Sequence, residues 1–141
     1  MTSFFVDTNV VVYAATDGPY RDACLRVLEA AARGAEARTS TAVLEEAWHV
    51  ELSGRVGGLA GLAASAYTLF TPLLAVTDQI VDAALRLKAS GIGANDRIHV
   101  ATCALNGIDT IVSADAGFDG VRGVRRVDPL DARALARLLD S

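Results

Sequence analysis

Residues 95–119 read Asn-Asp-Arg-Ile-His-Val-Ala-Thr-Cys-Ala-Leu-Asn-Gly-Ile-Asp-Thr-Ile-Val-Ser-Ala-Asp-Ala-Gly-Phe-Asp, and this stretch decides the fold. A helix is predicted to start at Asn95 or Asp96 and to stop at Asn106-Gly107, a polar residue and a glycine that end helices readily. Thr110 to Ser113 then reads as a short buried strand, bounded by a turn-rich segment over 114–123. Helix followed by buried strand is half of an alternating unit. The remaining chain repeats the alternation.

Upstream, Ser3 to Val6 is an apolar run stopped by Asp7-Thr8-Asn9, a second buried strand. Helices are predicted over 10–15, 20–33, 41–53, 59–70 and 77–90, the last capped by Thr77 and presenting Ile80, Val81, Ala84 and Leu87. The Ala-rich helix over 59–70 is apolar nearly all round, which predicts burial. Weak strands are expected at 37–40, 73–76 and 124–127, and a closing helix at 131–139. The pattern predicts a three-layer α/β/α sandwich on a mainly parallel sheet, one domain over residues 1–141.

Composition narrows the function classes. The chain has 141 residues, 52% of them hydrophobic, enough to bury a core without staples. Its 17 acids against 13 bases give a net charge of −4, which excludes a protein that holds nucleic acid mainly through a broad basic face. Nucleic acid gripped through metal ions stays open. Lys88 is the only lysine. Two cysteines, Cys24 and Cys103, outside any Cys-x-x-Cys pair, fit a reducing cytoplasm. The first residues carry no basic leader, and no stretch reaches the roughly 18 uninterrupted apolar residues of a membrane span.

The acids are informative by position. Asp7 and Asp115 follow two buried strands, and in open α/β sheets the crevice beyond the carboxyl ends of the strands is where ligands bind. Each, taken alone, is equally an acid opening a turn. Asp96 lies in the first turn of a helix, where a carboxylate also complements the helix dipole. Glu46 follows Val43 by three positions and precedes Val50 by four, at the edge of a buried stripe or of a solvated face. His49 and His99 read as core-edge residues and Trp48 as core or interface.

Three blocks resemble the PIN domain: Phe-Phe-Val-Asp-Thr-Asn-Val at 4–10, Thr-Ser-Thr-Ala-Val-Leu-Glu-Glu at 39–46, and residues 95–119. They come in that family's order and span nearly the whole chain. The resemblance implies an α/β/α sandwich that cleaves RNA with a bound Mg2+ or Mn2+. The family's acids fall on Asp7, Glu46, Asp96 and Asp115, with Glu45 exchanging for Glu46 if the register slips by one. Asp119 matches a further acidic position, and Asn9 and Ser113 match polar positions beside the acids. So short a chain, a PIN domain alone, resembles VapC-type toxins. This implies a VapB-type antitoxin that blocks the cleft, a homodimer and an RNA substrate. Arg97, with Arg55 or Arg122, is a candidate RNA contact or plain surface solvation.

Electrostatics gives the same demand. Two ionised carboxylates about 4 Å apart repel by roughly 4 kcal/mol at an effective dielectric near 20, so four in one pocket need a cation or protons. Oxygen ligands suit Mg2+ or Mn2+. Two acid-x-x-His pairs, Glu46/His49 and Asp96/His99, have the spacing of di-iron bundles, but a bundle conflicts with the strands. Two histidines and two cysteines without motif spacing argue poorly for zinc. An aspartyl-phosphate enzyme wants an acid where Asn9 stands. A PIN-like nuclease of RNA maturation, or a silent PIN-like binding module, are the alternatives to the toxin.

Overall fold

Side chains alternate along a strand, so the run Phe4-Phe5-Val6 sends apolar groups to both faces of its sheet. Both faces are covered in the computed structural model, which describes residues 2–140. In chain order the elements are β1 (Phe4–Val6), α1 (Thr8–Ala14), α2 (Arg21–Ala32), β2 (Ala37–Arg38), α3 (Thr41–Ser53) and α4 (Leu62–Phe70). Then come α5 (Asp78–Arg86), α6 (Ala94–Leu105), β3 (Thr110–Val112), a 3-10 turn (Ala116–Gly120), β4 (Arg125–Val127) and α7 (Ala132–Leu139). The sheet order is β2-β1-β3-β4 and every pairing is parallel, with Phe5 opposite Ile111 and Val6 opposite Val112.

Phe4, Val6 and Val112 pack with Val10 of α1, Val27 of α2, Phe70 of α4 and Leu135 of α7. On the other face Phe5 and Ile111 meet Val43 of α3, Val100 and Cys103 of α6, and Phe118. Helices on both faces of a parallel sheet are the three layers predicted from the sequence. α5 lies outside this core, against α6 through Ile80, Ala84 and Ala101.

Local chemistry sets the boundaries. α1 begins at Thr8 rather than Val10 because the Asp7 carboxylate accepts the Thr8 N–H and caps the helix. Ser40 and Thr77 cap α3 and α5 through their hydroxyls. Gly54 (φ 67°) closes α3 and Gly107 (φ 68°) follows α6, both in the left-handed region.

Four expectations need correction. α4 starts at Leu62, after Gly61, and only Ala66 and Phe70 are buried on it. It lies on the flank of the molecule, so its other apolar residues are partly or fully exposed. α5 stops at Arg86, not near Ser90, because the Leu87 and Ala89 carbonyls accept hydrogen bonds from the Arg97 guanidinium. Val81 is exposed, its place against α6 taken by Ala83. The strand expected at 73–76 is a single parallel bridge, Ser40 to Leu74. Among the described residues no helix is long and apolar enough to cross a membrane.

Candidate active site

The parallel ladder between β1 and β3 continues one step past β1: Asp7 N–H donates to the C=O of Val112, the last residue of β3, at 3.1 Å. This brings the residues after each strand to one edge of the sheet. Asp7, 5% exposed, accepts from Ser113 Oγ at 2.7 Å and from Asn9 Nδ2 at 3.2 Å. Asn9 also reaches Ser113 Oγ and accepts the Ala114 N–H, and Ser113 Oγ accepts the Asp115 N–H. Asn9 and Ser113 thus tie the two strand ends together and orient the Asp7 carboxylate. The exposed Asp115 accepts the Gly117 N–H, and a Cβ on Gly117 would stand only 3.0 Å from its Oδ1 and displace that carboxylate.

α3 and α6 bring the second half. Glu46 Oε1 accepts from Thr8 Oγ1 at 2.9 Å and pairs with His99 Nε2 at 2.8 Å, while Oε2 accepts from Asn95 Nδ2 at 3.1 Å. His99 is wholly buried, stacks obliquely on Phe5 and lies 3.6 Å from Asp7 Oδ1. It is a fork between the two carboxylates. Its Nδ1 has no hydrogen-bond partner among the described residues. Burial alone pushes the Glu46 carboxyl up, but the hydrogen bond and charge of His99, with Thr8 and Asn95, bring it below the ordinary range. Burial opposes the charge on His99, yet Glu46, Asp7 and Asp96 together raise it.

Asp96 lies in the first turn of α6. Its carboxyl is pushed up to about 6 by burial and by the charges of Asp7 and Asp115, against the opposing charge of His99. Asp7 is raised as well, chiefly by burial. Asp7, Asp96 and Asp115 thus feel one another's charge, and Glu46 is joined to Asp7 by way of His99 and Thr8. Excess negative charge on hard oxygen donors fits a divalent cation such as Mg2+ or Mn2+. Among the described residues, no three His, Cys, Asp or Glu side chains stand close enough to grip a metal ion as they are.

Other expected residues stand apart. Asp119 is exposed, and its carboxylate is held by Arg126 at 2.8 and 3.1 Å and lowered by that contact. Its link to the site runs through Arg126, which also donates to the Ser113 carbonyl. Arg97 donates to the carbonyls of Leu87, Ala89 and Ile92, so it anchors a loop. Glu45 is exposed and Glu46 is the one turned toward His99. His49 and Trp48 are exposed rather than core residues. The sequence reading missed Thr8, Asn95 and above all His99. A signal existed in the i, i+3 spacing of Asp96 and His99, which places both on one face of α6.

The sequence profile of the PIN domain matches residues 4–124. Among curated proteins none matches the chain by sequence. Solved structures do match in fold. VapBC2 from Rickettsia felis, bound to a promoter DNA fragment, superposes with a TM-score of 0.69 at 19% identity over 89% of this chain and 98% of that one. FitAcB from Neisseria gonorrhoeae gives 0.71 at 19% identity over 91% and 99%. VapC20 from Mycobacterium tuberculosis, a toxin that cleaves the Sarcin-Ricin loop, gives 0.62 at 25% identity over 87% and 99%.

Proposed function

The chain belongs to the PIN-domain family, and from that membership we propose that it is an endoribonuclease dependent on Mg2+ or Mn2+. In this reading it is the toxin of a VapBC-type toxin–antitoxin pair, acting in the cytoplasm as a homodimer. The observation that carries the reading is the buried Asp7, held by Ser113 and Asn9, beside a Glu46 fixed by three donors, with Asp96 in the first turn of α6 and Asp115 just beyond β3. A fold built only for binding has no reason to place so many mutually repelling carboxylates at the ligand crevice of its sheet. VapC20, similar in fold, cleaves RNA, and the VapBC2 complex supports an antitoxin as partner.

Asp7, Asp96 and Asp115 would hold the cation, with Glu46 directly or through water. When bound, Mg2+ or Mn2+ supplies a Lewis acid for a phosphate oxygen and lowers the pKa of a water molecule. Ser113 and Asn9 keep Asp7 oriented, and the Gly117 N–H keeps Asp115 in its turn. Glu46, held below the ordinary carboxylate range, orients a water and is a poor base for its proton. The Asp96 carboxyl, pushed up to about 6, would be ionised more readily with a cation held beside it.

The test is cleavage of RNA by the purified protein with Mg2+ or Mn2+ and with EDTA. Asp7→Asn and Asp96→Asn are expected to abolish cleavage and to melt as cooperatively as the parent. No cleavage under any condition, or full activity in both variants, overturns the assignment. The lack of a ready-made ligand set favours one other reading, a PIN-like binding module. Calorimetry separates the two, because the module takes up no Mg2+ or Mn2+ at millimolar metal.

A further inference from the structure

Trp48, the only tryptophan in the chain, is 57% exposed although indole is among the costliest side chains to leave in water. It borders a depression of about 540 Å3 that shares Glu46 with the acidic site. Thr8, Glu46 and Asn95 line this depression from the site, and Glu45, Trp48 and His49 line it from the surface of α3. The volume falls in the range of small-ligand pockets.

The lining says what fits. No lysine or arginine is among the described residues that bound the depression, and two glutamates are. A phosphate is therefore repelled, while a flat ring with hydrogen-bonding edges is not. The chain as a whole carries −4 and gains little from releasing counterions. A single strand must then be gripped by stacking, the contact that aromatic side chains offer to any unpaired base. Trp48 provides the ring face, and Asn95 and His49 provide polar groups at its rim.

We propose that this depression is a nucleobase subsite, in which Trp48 stacks on an unpaired base of the RNA next to the phosphate held at the acids. The inference rests on the nuclease reading and adds a substrate-binding residue to it. Trp48 itself reports the contact, since its emission has no other tryptophan to mask it.

The experiment uses the cleavage-deficient Asp96→Asn protein titrated with a single-stranded oligoribonucleotide of mixed sequence in Mg2+. Affinity is read by anisotropy of a dye on the RNA, and the subsite by Trp48 fluorescence. Quenching that saturates with the anisotropy Kd is expected. Adding Trp48→Ala should weaken binding by about 5- to 150-fold, the span of one lost stack, and Trp48→Phe should restore most of it. In the cleaving protein the Trp48→Ala loss falls on KM more than on kcat. Tight binding with unchanged emission, or with Trp48→Ala as good as the parent, overturns the subsite and leaves the nuclease reading standing. A shift of Trp48 emission with protein concentration alone also overturns it, marking a second copy over this face. No binding by anisotropy, together with no cleavage by the parent protein, overturns both.

Discussion

Glu46 and Asp7 meet at one imidazole, and that residue is where the chemistry of the site and the stability of the fold are joined. His99 Nε2 donates to Glu46 and lies within charge contact of Asp7, while its ring covers Phe5 in the core. His99→Leu keeps the bulk and removes the donor. In the metal-free protein at pH 7 it is expected to cost about 2 kcal/mol, the worth of a hydrogen bond to a charged group. His99→Gln, whose amide can donate to Glu46, should cost less and recover activity that His99→Leu loses. Denaturant melts and cleavage assays of both variants check this; equal behaviour of the two removes the donor role. From sequence His99 is an ordinary core-edge residue, because helical spacing shows which face a residue is on, and not what meets that face. Its role exists only where α3 crosses α6.

The elements divide in the same way. The central strands were legible because Phe4 to Val6 and Thr110 to Val112 are continuous apolar runs cut off by polar turns, a pattern that two-sided burial imposes. The positions of Asp7, directly after β1, and of Asp115, three residues after β3, were legible with them. The end of α5 was not, because it is decided by Arg97 from the next helix, a tertiary contact that no local propensity encodes. Arg97→Met is accordingly expected to lower stability by about 2 to 3 kcal/mol through the released carbonyls. It should leave the salt dependence of RNA binding unchanged, where an arginine on phosphate would contribute about one unit of slope. Denaturant melts and binding at several salt concentrations measure the two effects, and a reduced slope would return Arg97 to the nucleic-acid surface.

At the scale of the molecule, the acids make folding depend on pH. Between about pH 4 and 6 the folded protein keeps a proton on Asp96 that the unfolded chain, near 3.9, has released, so stability falls as pH rises. Asp7, also raised, acts in the same sense. His99 contributes stability that is complete below its unfolded value near 6.5 and is lost as pH climbs through its raised folded value. Glu46 runs the other way, its contribution vanishing as pH falls through its lowered value. The melting temperature in EDTA should therefore rise as the buffer is taken from pH 8 toward 5 and fall again in stronger acid. Saturating Mg2+ should raise it most at pH 8, where the carboxylates repel most. Scanning calorimetry across this range tests the sum, and a profile that rises toward pH 8 in EDTA contradicts it.

The hydrogen bond from Ser113 to Asp7 joins residues 106 positions apart, and β1 pairs on one side with a strand from the last third of the chain. A ribosome delivers Asp7 first and Ser113 only when synthesis is nearly over. Until then the first carboxylate has neither its neighbour strand nor its companions from 96 and 115. A half-translated copy therefore lacks the assembled acidic edge, and a product truncated before residue 113 cannot complete it.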